Sequence, residues 1–307
     1  MSGELSKAIG ERGEEISRNL LTLLGWEKTI TNLSIDCIKS HHINKNKNKK
    51  ISHGEDELFI YNCPIIDTRT VVVHVSVKHT MEYNENLSER KKTLKKHILE
   101  LAEIIECGKS THQIKDCINE YQNCRPDIIH FGLLIYTENK KDSQNNCLTH
   151  EIPTFNFENK IKDNIIVLDN YRIEFLYKVL TYMKNNFKIF SFTVPDFGYN
   201  LLNSQKTQIN HLNINMMCSD VLPFRIDLGD RFEVVIFVNE SFNILAFKRV
   251  ISYAIGFSKE FSKKIKIGFP DFDKLLHLHE QQKVLNNLNN LGIEIETFCF
   301  NDSFLNL

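Results

Sequence analysis

The stretch Thr70–Thr80, T-V-V-V-H-V-S-V-K-H-T, constrains the fold more than any other part of this chain. A strand alternates faces every residue, so Val73, Val75 and Val77 share one face and His74, Ser76 and Lys78 the other. A run this rich in valine belongs inside a sheet, and there a row of polar groups is costly unless it has a use. Upstream, His53-Gly54-Glu55-Asp56 leads into a second apolar run, Leu58-Phe59-Ile60-Tyr61. Glu57–Ile66 and Thr70–Lys78 then form a hairpin across Asp67-Thr68-Arg69, which brings Asp56 beside Lys78.

The surrounding pattern is α/β. Residues 3–25 carry Leu5, Ile9, Ile16, Leu20 and Leu23 at helical spacing, with Gly13 on the same face and Gly25 as a C-terminal stop. Thr29–Ile38 is a strand and the lysine- and asparagine-rich segment 41–50 a loop. A long helix spans Leu87–Cys107, with Ser88 as its N-cap, and a shorter one covers about 111–121. Strands at Ile128–Tyr136 and Ile165–Leu168, a helix at Tyr171–Met183 and a strand at Phe187–Val194 complete this half. After a boundary between Pro195 and Gln208, residues 232–238, 242–255, 264–269, 272–288 and 293–300 alternate strand and helix as a small unit with parallel pairing. The expected domains are therefore 1–198 and 199–307.

Lys+Arg 38 against Asp+Glu 39 leaves almost no net charge, so a nucleic-acid surface must be local. Arg90-Lys91-Lys92 with Lys95-Lys96, and Lys259, Lys263, Lys264 and Lys266 near Phe257 and Phe261, are two basic patches that suit phosphates or a solvated face. No apolar run is long enough to cross a bilayer, and eight unpaired-looking cysteines suit a reduced cytoplasmic setting. Cys107, His112, Cys117 and Cys124 lie close in sequence, at spacings that match no standard zinc finger. Glycine-rich phosphate loops and serine-hydrolase elbows are absent from the sequence.

An acidic residue beside one strand and a lysine on the next is suited to metal-assisted phosphodiester hydrolysis. Asp56 can hold a hard cation, and Lys78 can orient water or stabilise charge on the phosphate. Glu14 and Glu15 flank the apolar face of the first helix, where either reaches the edge of such a site. The combination of G-E on the first helix, G-x-D before a strand and x-x-K on the next resembles the PD-(D/E)XK nuclease superfamily, which includes restriction and Mrr-like enzymes. The resemblance covers about residues 1–195. It implies a restriction-endonuclease-like core followed by a smaller C-terminal α/β domain, with Asp56, Lys78 and Glu14 matching the motif aspartate, lysine and helix glutamate. Asp56 and Glu14 would hold Mg²⁺ or Mn²⁺, and the substrate would be DNA.

One position departs from the pattern: Ser76 stands where the superfamily has an acid or glutamine. A hydroxyl is a neutral, weak ligand for Mg²⁺. Three outcomes stay open: Glu14 or Glu55 replaces the lost carboxylate, metal binds more weakly, or the domain only holds nucleic acid. The opening M-S-G-E-L-S-K-A-I-G-E-R-G-E-E through L-L-G-W is also similar to the nuclease-like subunit of a two-gene, prophage-encoded anti-phage defence system. That resemblance implies a second protein subunit, with homo-oligomers a further possibility.

Overall fold

The computed structural model describes residues 2–44, 46–81, 84–139, 147–158, 160–194, 209–258, 262–286 and 292–301. They form two compact units, Met1–Cys63 with Asp67–Glu174, and Pro64–Ile66 with Phe175–Leu307.

The first unit runs α1 (Ser2–Leu23), β1 (Ile30–Asp36), β2 (Ser52–Asn62), β3 (Arg69–Thr80), α2 (Leu87–Gly108), α3 (His112–Glu120), β4 (Asp127–Glu138) and β5 (Asn164–Leu168). Its five strands lie in the order β1-β2-β3-β4-β5. The first three are antiparallel, and β3-β4-β5 are parallel. This is the helix, three strands, helix and strand order expected from the sequence.

Local chemistry explains the element ends. Gly25 sits at φ +80°, and Trp26 N–H and Gly25 N–H bond back to Leu21 O and Thr22 O, closing α1 in a Schellman motif. The α2 cap lies two residues before the expected Ser88. Asn86 accepts from Ser88 N at 3.0 Å and Glu89 N at 3.4 Å. Either residue type caps well, and only the backbone angles choose between them. β2 starts five residues before the expected Glu57, because His53 and Glu55 are buried in the strand despite their polarity.

Strand β3 is gripped on both faces by glycines. A Cβ on Gly13 of α1 would fall 2.7 Å from His79 Cβ, and one on Gly108 of α2 would fall 2.7 Å from His74 Cε1. Both helices therefore approach the sheet closer than any side chain allows. Between α2 and the sheet lies the main core, with Ile35, Leu58, Val72, Leu94, Leu101, Ile105 and Leu134 all buried.

The second unit holds α4 (Asn170–Asn186), whose first residues belong to the first unit, then β6 (Phe190–Phe192), β7 (Val221–Asp227), β8 (Phe232–Val238), α5 (Ile244–Ser258), β9 (Lys264–Phe269), α6 (Lys274–Leu285) and β10 (Glu294–Cys299). Strand order is β10-β9-β8-β7-β6. Pairing is parallel for β8-β9-β10, as expected, and antiparallel for β6-β7-β8. Two details differ from the expectation. Strand β6 pairs in this sheet instead of closing the first half, and β7 is hidden in the sequence because Pro223 interrupts its run. Pro223 still fits: it pairs opposite Ile236, and its carbonyl accepts from Thr193 N–H at 3.4 Å.

Candidate active site

Asp56 occupies a break in the sheet. Leu58 lies opposite His74, so the two share a face, yet Glu55, three residues back, also reaches His74. Residues three apart in a regular strand point opposite ways, so β2 reverses its alternation between Glu55 and Leu58. Neighbouring β1 shows the same defect. The Asn32–Asp56 pair is the one missing from the β1-β2 ladder, and Asn32 has φ +55°. Irregularities of this kind re-aim side chains beside functional sites.

The β2-β3 pairing ends at Glu57 opposite Val75. Beyond it, Val77 N–H donates not to a strand carbonyl but to Asp56 Oδ2 at 2.6 Å. Ser76 Oγ donates to the same oxygen at 3.4 Å, and Lys78 Nζ lies 3.8 Å from it. Asp56 and Lys78 each keep about a third of their side chain exposed, at 33%. The fold thus brings together Asp56, Ser76 and Lys78. Lys78 also lines a cleft of about 780 Å³ between the first turns of α1 and the first half of α2, with Arg90, His97, Tyr136 and Glu138.

The helix acids sit differently. Glu14 and Glu15 are both exposed on α1, and Glu15 is occupied by Arg12 at 2.7 Å. Glu14 reaches the charge field of Glu57, a buried carboxyl on β2 that burial pushes above its usual range, with Asp56 and Glu14 adding to the rise. No direct contact joins Glu14 to Asp56 among the described residues. Glu57 and Glu100 are acids near this site that the sequence pattern does not single out. The Glu100 carboxyl is held down to about 2, first by its hydrogen bond from His97 at 3.0 Å, with the Lys78 charge contributing. Its spacing of three from His97 on one helix face is the available signal.

Glu55, the other acid open as a replacement at position 76, turns toward His74. It is buried, and burial raises its pKa above the usual carboxylate value. His74 Nδ1 approaches Glu55 Oε1 at 2.8 Å, but without hydrogen-bond alignment, and neither Glu55 oxygen has a well-formed hydrogen bond among the described residues. His74 Nε2 meets His130 Nδ1 at 2.9 Å, completing a Glu55–His74–His130 row whose first two members are buried and whose last is half-buried. Burial first, then the charges of His74 and Lys109, hold His130 down to about 3.

A histidine neutral in the fold but titrating near 6.5 when unfolded lets the unfolded state bind more protons between these values. Its contribution is intact above pH 6.5 and lost as pH falls toward 3. Denaturant titrations should therefore show wild type losing on the order of 2 kcal/mol more than His130→Gln between pH 7 and pH 5. Equal losses would show that His130 is not the proton sink.

The donor chemistry fits a hard divalent cation. Asp56 Oδ1 accepts no hydrogen bond among the described residues, and a partly exposed carboxylate oxygen suits Mg²⁺ or Mn²⁺ that retains most of its water. The basic patches are largely spent on internal pairs: Arg90 on Glu138, Lys91 on Glu151, Lys96 on Glu100, Lys264 on Glu294 and Lys266 on Glu233. Lys259 and Phe261 lie outside the described residues.

The model of one protein family, the GAPS4 protein PD-(D/E)XK nuclease domain, matches residues 1–172, more than half of the chain. No curated protein matches.

Proposed function

Because the chain belongs to the GAPS4 PD-(D/E)XK nuclease domain family, we propose that it is a metal-dependent DNA endonuclease acting in anti-phage defence with a second protein subunit. The observation that carries this reading is the convergence of Asp56, Ser76 and Lys78 where β2 parts from β3. Asp56 would hold Mg²⁺ or Mn²⁺, with Glu14 as a second carboxylate from α1. When bound, that ion supplies charge stabilisation on the phosphate and a more acidic water. The Val77 N–H and the Ser76 hydroxyl fix Asp56 Oδ2, which leaves Oδ1 available as the ligand oxygen. Lys78 lines the cleft, where its ammonium would orient the attacking water or meet negative charge growing on the phosphate. His97 keeps Glu100 ionised, so the Lys78 field is balanced from the helix side.

The chain's near-zero net charge places the burden of DNA binding on local contacts. Among the described residues no helix is long and apolar enough to cross a membrane, and a cytoplasmic location belongs to this reading. Residues 199–307 would serve to dock the partner subunit. The test is DNA cleavage by the full chain, alone and with the neighbouring gene product, in Mg²⁺ and in Mn²⁺. Cleavage that is abolished by Lys78→Ala supports the reading, and cleavage unchanged by it sinks the site.

A second reading, a subunit that binds DNA without cutting, is favoured by one observation: Ser76 is neutral and buried where a carboxylate is expected. Ser76→Glu separates the two. Its carboxylate would lie against Asp56, so in chelator the melting temperature should fall from like-charge repulsion and recover on adding Mg²⁺. The metal concentration for half-maximal cleavage should drop about tenfold. If Ser76→Glu gains cutting that wild type lacks altogether, the native site is a binding site only.

A further inference from the structure

On the same sheet face, away from the Asp56 break, four buried side chains converge. They are Cys37 just after β1, His42 in the following loop, His53 on β2 and Cys107 in the last turn of α2, exposed by 7%, 2%, 5% and 0%. One donor atom from each lies within 4.8 Å of all the others. Cys37 Sγ and Cys107 Sγ are 4.0 Å apart, each is 3.5 Å from His42 Nδ1, and His42 Nδ1 is 3.3 Å from His53 Nε2.

Hydrogen bonding does not account for this arrangement. An imidazole nitrogen carries one hydrogen or one lone pair, yet His42 Nδ1 has three neighbours at bonding range. A disulfide needs sulfurs about 2 Å apart. A tetrahedral zinc with Zn–S near 2.3 Å and Zn–N near 2.05 Å has edges of about 3.8 Å between sulfurs, 3.5 Å between sulfur and nitrogen and 3.3 Å between nitrogens. Four of the six edges, the sulfur pair, both sulfurs to His42 and the nitrogen pair, follow that pattern to within about 0.2 Å, and the two edges from His53 to the sulfurs stay within 4.8 Å. The other ring nitrogen of His42, Nε2, meets Glu106 Oε2 at 3.2 Å, the carboxylate–histidine arrangement that orients metal-bound imidazoles. Glu106 is itself anchored by Lys39 at 3.4 Å.

We infer that Cys37, His42, His53 and Cys107 form a structural Zn²⁺ site. Two thiolates and two neutral imidazoles cancel the charge of the ion, so the loaded cluster can be buried without a net charge. All four positions are protein ligands, which leaves none open for water or substrate, and the role is to clip β1, its loop and β2 to the end of α2. Of the cysteine-rich segment singled out in the sequence, only Cys107 takes part. Its partners come from far upstream, and no sequence spacing advertises them.

The test is metal analysis of the full chain, purified without chelator, by inductively coupled plasma mass spectrometry. About one zinc per chain is expected. Cys37→Ser and Cys107→Ser should lose it, while Cys124→Ser, at an exposed thiol, and Asp56→Asn should retain it. Should the cluster variants not fold, wild type still decides: Co²⁺ exchanged into it should give the intense visible bands and sulfur charge-transfer absorption of a tetrahedral S₂N₂ site. Wild type without zinc and without that Co²⁺ spectrum overturns the inference. So does zinc content unchanged in both cluster variants, or a Cys37–Cys107 disulfide found by mass spectrometry. Zinc content is independent of cleavage, so failure of the nuclease reading leaves this result intact, and the reverse.

Discussion

Replacing Arg90 with alanine should destabilise the first unit by about 3–5 kcal/mol, the scale of a buried ion pair broken from one side. Arg90 and Glu138 are each about 5% exposed. The guanidinium grips the carboxylate with two donors, Nε to Oε1 at 3.1 Å and Nη2 to Oε2. Tyr136 donates to Glu138 Oε1 at 3.2 Å, and burial followed by the Glu138 charge pushes its phenol above the ordinary range. The Glu138 backbone is bonded both ways to the Asn170 side chain, so the carboxylate cannot swing out to water. Without Arg90 it stays buried and uncompensated, which is the expensive half of a broken ion pair. Fluorescence of Trp26, the chain's one tryptophan, reports urea unfolding of this unit. Arg90→Met with Glu138→Leu should restore most of the loss, because the pair's own net contribution is small. A loss below about 1 kcal/mol in Arg90→Ala would mean that water reaches Glu138.

Lys78→Ala and Asp56→Asn should each lower DNA cleavage about a hundredfold or more, the scale seen when one charge-stabilising group is removed from a reaction centre. Their effect on stability should be small. The Lys78–Asp56 pair spans 3.8 Å between side chains that are each a third exposed, and such pairs are worth about 0–1 kcal/mol. Asparagine is the sharper probe at position 56. Its carbonyl oxygen still accepts from Val77 N–H, so the strand geometry survives and only the charge is removed. A large activity loss with unchanged melting marks a chemical role. Loss of both together would instead mean that Asp56 holds the strands in place, and retained cleavage in both variants would remove them from the site.

Much of this fold is legible in the chain itself. Periodicity locates α1, α2 and the valine strand, and Gly13 and Gly25 are placed by what a missing side chain permits. Pairing partners are harder. Phe190–Phe192 reads as a strand in isolation, and nothing local says which sheet receives it. Within the site, G-E-D-E conceals its most informative property. Glu55, Asp56 and Glu57 are chemically similar neighbours, but the reversal in β2 sends one into the core beneath His74, one to the parted strands and one toward α1. That reversal depends on a matching defect at Asn32 in the adjoining strand, and a pattern of residue types does not record such a coupling. The four-residue Cys/His cluster is hidden for a related reason, since its members meet only after the sheet and α2 have assembled.

The two glycine contacts on β3 have a mechanical consequence. With His79 against Gly13 and His74 against Gly108, sliding β3 along its axis would drive side chains into helix backbone on both sides. Ser76 and Lys78 are therefore fixed points. Across the break, the β2 segment carrying Asp56 has left the β3 ladder and is tied to it there through its own carboxylate. Under the nuclease reading, a bulky polyanion brought to this site would meet a compliant half at Asp56 and a rigid half in the lysine strand.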